Sequence, residues 1–182
     1  WLLLCSLLLG NLSFLPAQAK EKEDKAVHLD ASEYGVDPTG EKDSTEAVQK
    51  ALAAAKKEEE KGQKVVLEFP RGEYQIYKDK AEVRNYHTSN TNSLEHPQKT
   101  IGILIEEHKN LTIDGNGSLF MMHGNMMALA VVKSENIKLK NFSWDFEVPT
   151  VSEMTITNMG SENGSDYTDF YIPDCFPYII EG

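Results

Sequence analysis

The first stretch whose residue types invite chemistry is Asp114-Gly115-Asn116-Gly117, with a carboxylate, an amide and two glycines in consecutive positions. A loop of this kind can cradle a phosphate on its backbone N–H groups or offer oxygens to a cation. The residues that follow argue against both. In a calcium loop opening at Asp114, the glycine demanded at the sharp turn would be Leu119, and the closing glutamate would be Asn125. A dinucleotide fingerprint needs a helix after its glycines, and no helical pattern follows. The stretch therefore reads as a tight corner between strands, where glycine supplies positive φ. Further along, Asp145 stands in Ser-Trp-Asp-Phe-Glu beside Trp144, His123 precedes Gly124, and His87 opens a polar run. No His, Cys and Asp residues share metal-ligand spacing, and Cys175 has no base beside it. Neither a metal nor another cofactor is expected.

Positioning these groups requires a regular frame. Helix 43–61 is predicted from the apolar stripe Ala47, Val48, Ala51, Leu52 and Ala55, with Asp43 as N-cap and Gly62 just past its end. The period then falls to two. Residues 65–69 and 74–77 read as strands around a Pro-Arg-Gly turn, and 78–100 as a long polar loop. Residues 103–115 repeat in 129–141 at an offset of 26: Asn110 falls on Asn136, and apolar residues coincide at four positions. Glu107, Lys109 and Asp114 fall on Lys133, Glu135 and Lys140, so opposite charges would be neighbours in a stack. Strand-length units at this period point to stacked parallel coils rather than a helical array. The Asn-X-Ser/Thr sequons at 110, 116 and 141 follow from the same turn chemistry.

The chain has 182 residues, enough for one domain. Residues 1–19 are apolar and uncharged and end in Ala17-Gln18-Ala19. They read as a secretory signal that lacks its positive start and is cleaved after Ala19, too short in its apolar run to span a bilayer. The protein is thus expected to be exported, to the periplasm or outside the cell, without membrane insertion. Removing the signal leaves Cys175 alone, which excludes an internal disulfide. Residues 20–30 are charged and expected to be flexible. The net charge of -11 falls wholly after the signal and disfavours nucleic acid and other anionic polymers. The closing Tyr-Ile-Pro-Asp-Cys-Phe-Pro-Tyr-Ile-Ile-Glu-Gly stops inside an apolar run, so a piece of a longer protein is expected.

Two long segments carry a resemblance. "EYGVDPTGEKDSTEAVQKALAAA" with "VVLEFPRGEYQI" is similar to the opening of pectate-lyase-like right-handed β-helix proteins. "HTSNTNSLEHPQKTIGILIEEHKNLTIDGNGSLFMMHGNMMALAVVKSENIKLKNFSWDFEVPTVSEMTI" and "YTDFYIPDCFPYIIEG" resemble glycoside hydrolase family 110. The resemblance covers residues 31–182. It implies an all-β fold, a right-handed parallel β-helix (solenoid) whose open end is covered by the N-terminal α-helix, with residues 31–182 forming its first coils. It also implies an exo-acting α-1,3-galactosidase that inverts the anomeric centre and acts on galactose-terminated glycans. Inversion needs two carboxyl groups, about 6.5–9.5 Å apart. At the offset of 26, Asp145 falls on Leu119 and Tyr171, Glu147 on Met121 and Pro173, and no carboxylates stack. The catalytic pair is therefore expected downstream of Gly182, with Asp145 the local candidate. Trp144, His123 and His87 are the candidates for sugar contact. Two alternatives remain at this stage: another β-helix polysaccharide enzyme, such as a polygalacturonase or lyase, and a non-catalytic glycan-binding or structural β-helix. The acidic balance argues against a polyuronate substrate.

Overall fold

The computed structural model describes residues 25–87, 96–149, 151–176 and 178. Residues 1–19, read above as a secretory signal, lie outside the described residues. In chain order the elements are β1 (Val27–Asp30), β2 (Thr39–Asp43), α1 (Thr45–Glu59), β3 (Val65–Glu68), β4 (Glu73–Tyr77), β5 (Glu82–Asn85), β6 (Gln98–Glu106), β7 (Leu111–His123), β8 (Met127–Val132), β9 (Lys138–Phe146), β10 (Thr155–Glu162) and β11 (Ser165–Tyr171). The chain is mostly β with one α-helix, and its parallel strands form a curled sheet around an apolar core. β7 is the spine. Its first half pairs with β3, its second half with β4, and both halves pair with β9, all parallel. β6 and β8 pair in parallel alongside.

The offset of 26 holds where the repeat predicts it. Ile103 pairs with Leu129, Ile105 with Val131, and Ile113 with Leu139. Asn136 Nδ2 donates to Asn110 Oδ1 at 2.6 Å. Both turns between these strands repeat their backbone too: Glu107 and Lys133 have φ of 58° and 49°, Asn110 and Asn136 of 59° and 55°. Two predicted charge pairs form, Lys133–Glu107 at 3.6 Å and Lys140–Asp114 at 2.7 Å. Lys109 and Glu135 meet as backbone partners.

At the next corner the step changes. Asp114 still pairs with Lys140, but Ser118 pairs with Phe142. β7 places Gly115, Asn116 and Gly117 between those positions where β9 places Asn141 alone, so the offset falls from 26 to 24. Gly115 lets the two corners touch: a Cβ there would lie 2.4 Å from Phe142 Cβ and 2.9 Å from the Asn141 carbonyl. Asp114 fixes the junction, accepting from Lys140 Nζ, from Asn141 Nδ2 at 2.9 Å and from the Asn116 amide at 3.1 Å. The Lys140 hydrogen bond, then those of Asn141 and Asn116, hold its carboxyl down at about 2.

α1 starts at Thr45 rather than Asp43, with Ser44 in the N-cap position. The Asp43 carboxylate accepts from the Thr45 amide at 2.8 Å and the Thr45 hydroxyl, while Ser44 Oγ accepts from the Asp37 amide. α1 ends at Glu59, two residues before the expected 61, with Glu60 as C-cap; Gly62, with φ of 81°, donates its amide to the Glu59 carbonyl in the turn that follows. The predicted stripe is the buried face, packed among Val65, Leu67, Ile103 and Leu111. Gln49 and Lys56 donate to the Gly102 and Glu106 carbonyls at 3.2 Å each, so the helix closes one edge of β6. Glu59 and His108 form a pair with both side chains only 4 % exposed; Nδ1 lies 2.9 Å from Oε1, and the Lys109 amide donates to Oε2 at 2.8 Å. This staples the last turn of the helix to the β6–β7 corner.

Two expectations need correction. Val27–Asp30, within the segment read as flexible, is a strand paired in parallel with β3, because Val27 and Leu29 alternate with polar residues. The segment 78–100 is not one loop: β5 pairs antiparallel with the start of β6, joined by Arg84–Glu106 and Tyr86–Glu106 hydrogen bonds of 3.0 and 2.7 Å. Its polar composition hid strands whose partners are side-chain networks rather than an apolar face.

Two outcomes follow for the whole protein containing these residues. Leu52→Asp puts a carboxylate at a position 2 % exposed in the helix–sheet core, and is expected to give aggregated protein by size-exclusion chromatography, the cost being several kcal/mol. Asp114→Asn tests the corner. Its folded value of about 2 lies below the ordinary 3.8, so the ion pair stabilises above pH ~4 and its contribution is lost as pH falls toward ~2. Lys140 is 44 % exposed, which screens the pair, so the variant is expected to be about 1 kcal/mol less stable at pH 7. Denaturant melts should converge with wild type near pH 2; a constant difference would disprove the linkage.

Candidate active-site face

Alternation along β4, β7 and β9 sorts their side chains onto two surfaces. Inward, Tyr74 pairs with Phe120 and Phe120 with Trp144, while Ile76, Met122 and Phe146 form the adjoining row. The Tyr74 and Phe120 rings stack at 5.1 Å, and Phe142 meets Phe120 edge-on at 5.5 Å. Burial pushes the Tyr74 phenol up to about 12, and its hydroxyl donates to the Pro70 carbonyl.

Outward, the rows read Gln75, Met121, Asp145 and then Tyr77, His123, with Glu147 above His123 because its amide donates to the Met122 carbonyl. His123 links three levels. Its Nε2 lies 2.5 Å from Gln75 Oε1, and its Nδ1 lies 2.8 Å from Glu147 Oε2. Tyr77 stacks on the imidazole at 4.2 Å with 7° between the planes. The Gln75 amide is oriented in turn by donation to Glu73 Oε1 at 2.8 Å. Both ring nitrogens therefore face oxygen acceptors, and the ring is fixed in plane and in tilt. The histidine side chain is 15 % exposed and that of Glu147 61 %, so the column leads from a shielded amide to an open carboxylate. Asp145 stands on the same outward face as Glu147, its Oδ1 accepting from the Phe146 amide at 2.8 Å.

No family model matches the chain. Curated relatives do. It is 41 % identical over 133 residues to an α-1,3-galactosidase B of Phocaeicola vulgatus, covering 73 % of this chain and 22 % of the relative. It is 36 % identical over 169 residues to an α-1,3-galactosidase A of Streptomyces avermitilis, covering 92 % of this chain and 26 % of the relative. An α-1,3-galactosidase B of Bacteroides fragilis is 40 % identical over 135 residues, covering 74 % and 22 %. At 33–41 % identity along most of its length, the chain is similar to α-1,3-galactosidases of the kind grouped in glycoside hydrolase family 110. It spans about a quarter of the length of the curated relatives it matches.

On this surface the candidate residues separate. His123 and Asp145 share the outward face, in adjacent rows. Trp144 does not: it pairs with Phe120 on the core-facing side, 6.3 Å from Phe142 between ring centroids, and is 51 % exposed. His87 is exposed just beyond β5 and precedes residues outside the described set. Glu147, Gln75 and Tyr77 join the cluster although sequence reasoning missed them. The constant offset of 26 placed Glu147 over Met121; the actual step of 24 places it over His123. The two extra residues in Gly115-Asn116-Gly117, against the single Asn141, were the signal. Among the described residues no group of three His, Cys, Asp or Glu could hold a metal ion, and no helix is long and apolar enough to cross a membrane.

The column makes a quantitative forecast. Removing the ring in His123→Ala strands the amide of Gln75, itself 9 % exposed, and should cost about 1–3 kcal/mol. Glu147→Ala removes the outer, solvent-screened partner and should cost under about 1 kcal/mol. Denaturant melts of the two variants in the whole protein would contradict this ordering if Glu147→Ala proved the more damaging.

Proposed function

We propose that the whole protein containing these residues removes terminal α-1,3-linked galactose from glycans, with inversion at the anomeric carbon. The observation that carries this reading is the 33–41 % identity to α-1,3-galactosidases A and B along most of the chain. The architecture that fits the stacked parallel strands and the capping helix is a right-handed parallel β-helix, with these residues as its first coils. Export follows from the apolar start of the sequence, with cleavage after Ala19.

In this mechanism one carboxylic acid protonates the glycosidic oxygen as the C1–O bond breaks. A second carboxylate takes a proton from water as that water attacks C1 from the opposite face, and β-galactose leaves. The pair belongs to coils beyond residue 182. Asp145, in β9, and Glu147, just past its end, both face outward, but Glu147 is held by His123. The outward face supplies ordered acceptors for sugar hydroxyls, and a neutral sugar suits its acidity.

The test is to incubate the whole protein with an α-1,3-galactosyl disaccharide and follow the released anomer by NMR. β-Galactose should appear first. α-Galactose would overturn inversion, and no release would overturn the hydrolase reading. Asp145→Asn should keep kcat within about tenfold; a loss beyond about a thousandfold would make Asp145 one of the pair.

A further inference from the structure

The β10–β11 hairpin stands apart from the stacked strands and has two chemically different faces. Asn163 and Gly164, with φ of 53° and 80°, make the tight turn that joins its strands. A bulge at Thr157 resets the alternation, so that Thr155/Tyr171, Asn158/Asp169 and Gly160/Tyr167 pair on one side. The other side pairs Ile156 with Phe170 and Met159 with Thr168.

The first side is built. A Cβ on Gly160 would meet the Tyr167 ring at 2.7–2.9 Å, so the phenol lies flat across the strand only because this residue is glycine. Its hydroxyl is 3.4 Å from Asn158 Nδ2, and the same amide donates to Asp169 Oδ2 at 3.2 Å. Asn158 and Asp169 are thereby oriented side by side next to the ring. Tyr167 remains 41 % exposed, and Tyr171, two residues beyond Asp169 on the same side, is 58 % exposed.

We propose that this face binds a pyranose residue of a glycan, on a sheet separate from that of β4, β7 and β9. A flat aromatic ring matches the C–H face of a pyranose, as aromatic rings match other apolar surfaces. Galactose is well suited, because its axial 4-hydroxyl leaves a continuous run of C–H bonds on one side. The adjoining pair supplies what the hydroxyls need: Asp169 only accepts, and Asn158 both donates and accepts. The two tyrosines bring large area with few rotatable bonds, so little conformational freedom is lost on binding. The hairpin is a docking subsite for the glycan chain. It rests on the proposed function only for the choice of sugar offered to it.

The experiment is affinity electrophoresis of the whole protein through a polyacrylamide matrix carrying α-1,3-digalactosyl groups, with hydrolysis of the free disaccharide measured on wild type. Retardation of wild type is expected. Tyr167→Ala and Asp169→Asn should each weaken it at least fivefold, Tyr167→Phe should retain it, and Thr168→Ala, on the opposite face, should leave it unchanged. Thermal melts accompany each variant. If Tyr167→Ala unfolds, Asp169→Asn decides, since an exposed isosteric change does not disturb the hairpin. Equal retardation of wild type, Tyr167→Ala and Asp169→Asn, or no retardation of wild type, would overturn the proposal. Retardation without hydrolysis leaves this site standing and removes the catalytic reading; hydrolysis without retardation does the reverse.

Discussion

A parallel strand can lie on its neighbour only while the two chains keep step, and here the step is decided at one corner. Asp114, Lys140, Asn141 and Gly115 meet where β7 and β9 turn together. Upstream the stacked positions differ by 26 residues; downstream they differ by 24. A shift of two preserves the strand period, so Phe120, Met122, Trp144 and Phe146 all stay on the inner side. A shift of one would turn every side chain of β9 over. The corner therefore controls which residues meet the core and which meet solvent. The contact made possible by Gly115 and the carboxylate of Asp114 fix that choice in short range: sterically on one side, electrostatically on the other.

The outward column depends on this choice. With the step at 24, Glu147 comes over His123, and His123 in turn reaches down to Gln75. Three levels of the stack then share one hydrogen-bonded line, braced by the parallel Tyr77 ring. Groups held in this way approach a ligand already oriented, which lowers the entropy lost on binding. The inner side achieves rigidity differently, through rings packed against rings. A single strand thus delivers a rigid apolar floor and an ordered polar surface from alternate residues.

Much of the frame was legible in the sequence because it rests on periodicity. The helical stripe, the period-two strands and the stacked Asn110 and Asn136 all follow from residue spacing, and the structure places them as expected. The site was legible only in part. His123 and Asp145 could be singled out by type, whereas Glu147, Gln75 and Tyr77 owe their place to register, which a corner of unequal length altered. Trp144 shows the converse: its chemistry suggests a sugar platform, yet the parity of β9 sends it inward beside Phe120. β5 was hidden for a different reason. Glu82, Arg84, Tyr86 and Glu106 hold its pairing through charges and hydroxyls, and such a strand leaves no apolar pattern.

The distribution of charge connects frame and chemistry. The chain carries a net charge of -11, yet its stacked turns neutralise themselves, Glu107 against Lys133 and Asp114 against Lys140. These lysines pair along the turns of the stack, where they relieve repulsion between successive levels. The outward face keeps three carboxylates: Glu147 on the His123 imidazole, Glu73 on the Gln75 amide, and Asp145 on the Phe146 amide. A polyuronate would bring like charge against that surface, at a cost that grows with each residue of the polymer. A neutral hydroxylated sugar meets acceptors instead, and each of its hydroxyls can donate. The carboxylates left on that face therefore oppose an anionic polymer there, which agrees with the neutral galactoside proposed above.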